Sequence, residues 1–304
     1  MRVNFKKGLI GLIGLVCLTL FTASGVMAEK AITIGGKNFT EQYILPELAK
    51  HLLEKNGFKV KLKTGVGTSI ARKSLETGQV DFYFEYTGTA YTVFYKGKDA
   101  AVMTDPQKVY DWMKQNDAAK GLVWLDMVAL NDTYTLMMKK DQANLAGIKT
   151  IGDFSAAVNK DPKKLVLAVN SEFWERPDGI KKLMKIYGFR VPISQIKKMD
   201  TGLTYIALKN GDVDVAMGLS TDGRISAYGF CNLEDNKKFF PAYNPAPVIR
   251  KAVLDQYPEI RDILKPLAEK LTTEEMQKLN KAVDVDHKKV STVALTWLKE
   301  KGLL

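Results

Sequence analysis

Apolar and polar positions alternate from Val80 to Phe84, a period of two that predicts a short buried strand. The strand delivers Glu85, Tyr86, Thr87 and Thr89 into a run read as a turn fixed by Gly88. Polar and aromatic groups at the C-terminal end of a strand are where open α/β sheets place their ligands. The pattern recurs. Leu75-Glu76-Thr77-Gly78-Gln79-Val80-Asp81 before the strand ending at Tyr86 is echoed by Leu208-Lys209-Asn210-Gly211-Asp212-Val213-Asp214 before the strand ending at Leu219. Both read as helix end, glycine cap, strand and turn, which predicts two related α/β halves with Tyr86 and Leu219 equivalent. Chance recurrence of a helix-glycine-strand unit is the alternative.

Periodicity supplies the other elements. Strands are predicted over 31–35, 58–63 (alternating with lysine, hence an edge), 122–128 and 133–139, then 165–169, 193–198 and 213–217. Thr40 is read as the N-cap of a helix whose apolar stripe is Ile44, Leu45, Leu48, Ala49, Leu52 and Leu53. Lys37 and Gln42 then lie near a helix N-terminus, a place that favours anionic groups. Further helices are predicted from Asp105 through Val109, Trp112 and Met113, over 178–187 and 203–209, and over 253–267, 274–283 and 288–298, the last group with a cap at Thr272. The run 141–150 reads as surface, 171–179 as a loop, and 239–247 as an extended return to the first half imposed by its prolines. The chain is expected to cross between halves near residues 131–135.

At 304 residues and 46% hydrophobic, the chain can fill two cores of ordinary size. Arg2, Lys6 and Lys7 precede an apolar run over 9–21, and Val26-Met27-Ala28 offers small residues for cleavage, so residues 1–28 read as a secretory signal peptide. Its removal would leave Cys231 as the lone cysteine, which excludes an internal disulfide or a cysteine metal cluster. The formal charge of +11 would fall by those three cations to +8. The lysines are scattered without a basic run, which argues against nucleic acid.

Catalytic material is scarce. The histidines are His51 in an amphipathic helix and His287 at a charged helix start, and no zinc-protease, nucleophile-elbow or paired-cysteine motif occurs. A secreted enzyme would have to use Asp81 or Glu85, and Asp81 is matched by Asp214 in the other half. The glycine-rich 65–69 turn lacks the lysine of a phosphate loop. Loop aromatics are abundant instead: Tyr86, Tyr91, Tyr134, Trp174 and Tyr243. Their faces suit a soft cation with no hydrogen bonds to make, such as a trimethylammonium group. Arg176, at a helix entrance before Pro177, is placed to offer a planar guanidinium to a carboxylate, or else to pair with Glu172, Glu175 or Asp178.

Residues 35–42 (Gly-Gly-Lys-Asn-Phe-Thr-Glu-Gln), 81–89 with their Glu-Tyr-Thr-Gly-Thr core, 173–179, and Ser220-Thr221-Asp222-Gly223-Arg224 resemble the periplasmic binding component of ABC importers for glycine betaine, choline, carnitine and related osmoprotectants. The resemblance implies an α/β, two-lobed type II periplasmic-binding fold, each lobe a mixed sheet flanked by helices, with lobe 1 over 29–132 plus 241–304 and lobe 2 over 133–240. It implies a monomer without cofactor, metal or catalysis that closes on a small quaternary-ammonium ligand and delivers it to a membrane permease. Tyr86, Tyr134 and Tyr243 match tyrosines caging the ammonium, and Asp132 lies where backbone oxygen approaches it. Lys37, Thr89 and Arg176 match groups that hold the ligand carboxylate. Leu219 departs from the pattern, standing where the family commonly has a further cage tyrosine. Another small zwitterion or amino acid remains the alternative, since Arg176 would hold any carboxylate.

Overall fold

The computed structural model describes residue 1 and residues 29–304; apart from Met1, the expected signal peptide over 1–28 lies outside the described residues. Strands β1 (Lys30–Lys37), β2 (Phe58–Val66), β3 (Phe82–Tyr86), β4 (Leu122–Trp124) and β10 (Pro245–Arg250) form one sheet. Its order is β2-β1-β3-β10-β4. Strands β5 (Tyr134–Lys139), β6 (Leu167–Val169), β7 (Ile196–Lys198), β8 (Val215–Leu219) and β9 (Phe230–Asn232) form the other, in the order β7-β6-β8-β5-β9. Each sheet runs as three parallel strands followed by two antiparallel pairings. The two have one topology, that of a two-lobed type II periplasmic-binding fold.

The sequence echo holds at the level of atoms. Gly78 and Gly211 follow the helices Thr68–Glu76 and Thr201–Asn210 in the left-handed conformation, φ +74° and +82°, which glycine adopts without a Cβ penalty. Asp81 Oδ2 accepts from the Thr33 amide at 2.7 Å, and Asp214 Oδ2 from the Val166 amide at 2.8 Å, so each ties its own strand to the neighbouring parallel one. Tyr86 ends β3 opposite Pro245; Leu219 ends β8 opposite Tyr134.

The predicted apolar stripe of the helix Glu41–Lys55 is buried throughout, packed with the helices Ile260–Lys270, Thr273–Asp284 and Val290–Glu300 on one face of the first sheet. Burial of that stripe, more than helix propensity, fixes the element. Thr272 caps as expected, accepting from the Glu275 amide at 3.3 Å.

Several expectations are corrected. Thr40 is already helical and its hydroxyl donates to Asp284 Oδ1 at 2.7 Å, so a tertiary contact claims the group that would have capped. Residues 141–150 contain most of the helix Lys140–Ala146, which buries only Ala143 and so carries little apolar periodicity. The 171–179 loop holds a short helix, Ser171–Glu175, capped by Asn170, whose Oδ1 accepts from the Phe173 amide at 2.6 Å. The expected strand over 122–128 stops at Trp124. The extended return over 239–247 leads into β10, which inserts between β3 and β4; its Pro245 and Pro247 concealed a strand from a reading by propensity. No helix among the described residues is long and apolar enough to cross a membrane.

Candidate functional site

Tyr86 is carried by the last residue of β3, and the chain turns directly into the helical stretch Thr87–Thr89 that continues as a π-helix over Ala90–Phe94. Gly88 therefore does not fix a turn. A Cβ there would lie 2.6 Å from Pro241 Cβ and 2.7 Å from the Ala242 carbonyl oxygen, so glycine is what lets the returning chain close in. Thr87 Oγ1 and the Gly88 amide both donate to the Ala242 carbonyl, at 2.8 and 2.9 Å, and Tyr243 is thereby held beside the end of β3.

Tyr134 opens β5 from the other sheet. Its ring stacks on Phe173 at 4.7 Å and meets Tyr243 edge-on at 5.7 Å, with an interplanar angle of 86°. The phenols are anchored where a partner exists: Tyr86 Oη donates to Glu41 Oε1 at 2.7 Å, and Tyr243 Oη to Asp178 Oδ2 at 2.6 Å. Burial, and then Glu41 for Tyr86 and Asp178 for Tyr243, push these phenols well above their ordinary range. Burial does the same for Tyr134. All three rings are neutral and present electron-rich faces.

Arg176 is 7% exposed, with its guanidinium carbon 5.2 Å from the Tyr134 ring centre and 5.8 Å from that of Tyr243. Its Nε and Nη2 donate to Asp178 at 2.8 and 2.6 Å, and Nη2 also reaches Thr89 Oγ1 at 3.2 Å. The pairing with Asp178 that the sequence left as an alternative is thus present. Burial alone would raise Asp178; the guanidinium more than reverses that and holds it below the usual carboxylate range. Nη1 keeps only a 3.5 Å contact with Glu172 Oε1 and is the edge left for another carboxylate.

Lys37 is buried, and its ammonium lies 2.5 Å from Glu85 Oε1 and 5.0 Å from the Tyr86 ring centre. It has an internal counter-ion in Glu85 while still standing on the wall of the void beside Tyr86. Gln42 is likewise internal, donating to the Phe84 carbonyl at 3.0 Å and to Tyr86 Oη at 3.1 Å. The Asp132 carboxylate accepts from Thr221 Oγ1 at 2.7 Å, and burial pushes its pKa up to about 7. Burial and then Asp132 raise Glu41 well above the carboxylate range.

Lys37, Tyr86, Thr89, Asp132, Tyr134, Arg176, Leu219 and Tyr243 all line one void of about 40 Å³. The sequence reading missed Phe39, Thr68, Asn170, Glu172 and Thr201 on the same walls. Phe39 and Glu172 stood in stretches it had singled out. Thr68 lay in the glycine-rich 65–69 turn, and Asn170 and Thr201 carried no signal beyond their position at helix starts.

Residues 30–300 match the model of the substrate-binding domain of ABC-type glycine betaine transport systems. A glycine-betaine-binding protein of Pseudomonas aeruginosa is 38% identical over 295 residues, covering 95% of this chain and 94% of its own. The carnitine transport binding protein OpuCC of Listeria monocytogenes is 34% identical, covering 98% of both chains. A crystal structure of a glycine betaine/carnitine/choline ABC transporter superposes with a TM-score of 0.73 at 31% identity, covering 90% of this chain and 99% of that one.

Proposed function

The chain belongs to the family of substrate-binding domains of ABC-type glycine betaine transport systems, a solute-binding component of an importer and not an enzyme, and from that premise we propose that it captures a quaternary-ammonium osmoprotectant in an aromatic cage between its lobes. The observation that carries this reading is the meeting of Tyr134 from one sheet with Tyr243 from the segment entering the other, with the Arg176 guanidinium over both rings. A trimethylammonium group gains from ring faces in a dry site because water solvates it poorly, each face contributing roughly 0.5–2 kcal/mol.

In this reading the ammonium rests among Tyr86, Tyr134 and Tyr243 near Asp132, and the carboxylate is held by Arg176 Nη1 and Thr89. Lys37 acts through Glu85, neutralising charge beneath Tyr86. The lobes comprise 29–132 plus 241–304 and 133–240, and the protein works as a periplasmic monomer freed of residues 1–28. Leu219 removes one wall of the cage, so binding of glycine betaine itself is weak. Calorimetry with glycine betaine, choline, carnitine and proline betaine tests the reading: binding of at least one betaine and loss of that binding in Tyr134→Ala are expected. Failure of all four solutes, or an unaltered Kd in the variant, would count against the cage.

A further inference from the structure

One helix of each lobe repeats the other in register. Thr68–Glu76 follows β2 and Thr201–Asn210 follows β7, strands that hold the same edge place in their sheets. Counted from helix start to closing glycine, Thr68 pairs with Thr201, Leu75 with Leu208 and Gly78 with Gly211. Other positions differ in kind: Arg72 stands against Tyr205, Lys73 against Ile206 and Glu76 against Lys209. Each match has a local cause, since the threonines stand on the wall of the cage void, the leucines are buried in the cores and the glycines are left-handed. One more match has no such cause. Ile70 and Leu203, both aliphatic and each the third residue of its helix, are 60% and 53% exposed. A single aliphatic side chain in water is ordinary; the same one at the same place in both lobes, two residues from the cage wall, is not explained by packing.

The two helix starts meet the opposite lobe in the same way. Thr68 Oγ1 donates to Glu172 Oε1, in the segment that follows β6. Thr201 shares the walls of a chamber of about 530 Å³, bounded also by Leu219, with Asn38, Phe39, Thr40 and Glu41, the segment that follows β1. β1 and β6 are counterparts in their sheets. Where one part of the first half meets a second part of the other, and the second meets the first, the halves are related by a two-fold axis. Ile70 and Leu203 therefore form a two-fold pair on either side of the cleft. Ile70 also lines a groove of about 390 Å³ whose other wall, Glu172, Glu175 and Pro177, belongs to the second lobe, so its surroundings are complete only where the lobes meet.

We propose that Ile70 and Leu203 are the two points on which this chain seats on its importer's permease, each entering an apolar socket, one on each of two like membrane subunits. Symmetry and size select this partner. A two-fold pair fits a surface that offers the same socket twice. Two separate side chains do not furnish the roughly 1,000 Å² that a lasting dimer of this chain would need, whereas a binding protein that must leave its permease after delivery is served by a small contact. The inference rests on the chain's place as an importer component and not on the cage.

The test reads docking of the purified protein, by interferometry, on the importer's permease and ATPase subunits held in lipid nanodiscs. It is run without solute and in a mixture of glycine betaine, choline, carnitine and proline betaine. Ile70→Glu and Leu203→Glu are each expected to weaken docking at least ~10-fold and by similar factors, because a charge forfeits the burial of an aliphatic side chain. Ile70→Ser and Leu203→Ser, which add no charge, should shift it in the same direction. Leu145→Glu, at an exposed leucine of the helix Lys140–Ala146, should dock as the unaltered protein does. Calorimetric affinity for solute is expected to stay unchanged in all five variants. Unaltered docking in either glutamate variant, or in both serine variants, overturns the inference and leaves the cage standing. A loss in Leu145→Glu equal to theirs does the same. A dimer in sedimentation velocity that Ile70→Glu dissolves overturns the permease as occupant in favour of a second copy. Failure of all four solutes in calorimetry counts against the cage alone, since docking is also read without solute.

Discussion

Asp178 grips Arg176 along one edge of its guanidinium, Nε to Oδ1 at 2.8 Å and Nη2 to Oδ2 at 2.6 Å, two residues apart in sequence and both buried. The same carboxylate accepts from Thr92 Oγ1 at 2.8 Å and from Tyr243 Oη at 2.6 Å. Asp178 therefore joins a guanidinium presented by one lobe to a ring and a hydroxyl presented by the other. The fork is held by these bonds without any ligand, and the Nη1 edge carries only the 3.5 Å contact with Glu172.

Arg176→Ala removes the group proposed for the ligand carboxylate and leaves Asp178 as a buried charge without its main partner. Breaking a buried pair costs about 3–5 kcal/mol of stability, so a drop in Tm is expected together with at least ~100-fold weaker betaine binding. Arg176→Lys retains the charge but not the planar fork and should fall between. Differential scanning calorimetry and titration calorimetry read both quantities. Unchanged affinity in the alanine variant would remove Arg176 from the site.

Leu219→Tyr restores a ring at the position paired with Tyr134. One added ring face in a desolvated cage is worth about 0.5–2 kcal/mol, so glycine betaine should bind roughly 2- to 30-fold more tightly. Titration calorimetry checks this. Equal or weaker affinity would mean that residue 219 does not face the ammonium.

Asp132 gives the protein a pH dependence of defined sign. Its pKa is raised by burial to about 7 from the ordinary carboxylate value of 3.8, so the folded state holds a proton that the unfolded chain releases. That contribution to stability is full below about pH 4 and is lost as pH rises through about 7. A quaternary cation nearby favours the ionised form, so betaine binding should tighten over the same rise and release a proton. Asp132→Asn is expected to flatten both trends. Titrations at pH 5.5 and 8 in buffers of different ionisation enthalpy provide the check.

Gly223 lies where the second lobe meets the helix Thr273–Asp284 of the first. A Cβ there would sit 2.6 Å from both the amide nitrogen and the Cα of Lys281. Gly223→Ala should wedge this contact and cost about 1–3 kcal/mol, as overpacking does elsewhere. Because the wedge acts where the lobes meet, its cost falls on the closed arrangement, so affinity should fall roughly 5- to 160-fold while the Tm of the ligand-free protein with its lobes apart changes little. Equal affinity would show that the contact plays no part in holding ligand.

Local patterns along the chain were sufficient for the paired architecture. Period-two runs and glycine caps recur at 75–86 and 208–219, because each lobe repeats one strand-helix unit whose spacing is set by its own hydrogen bonds. Tyr86, Tyr134, Tyr243 and Arg176 stood out by residue type, whereas Lys37, Thr89, Asp132 and Leu219 were reached through the family resemblance; all eight line one void. What the sequence could not supply was who pairs with whom. Lys37 turns inward to Glu85, Thr40 reaches Asp284 rather than its own helix, and Gly88 is required by the approach of Pro241 and Ala242 from more than 150 residues away. Each outcome is a competition between a local partner and a distant one, and the distant one is close only once both lobes have folded. The chamber behind Leu219 belongs to the same class: residues of both lobes line it, and a one-dimensional pattern carries no record of volume.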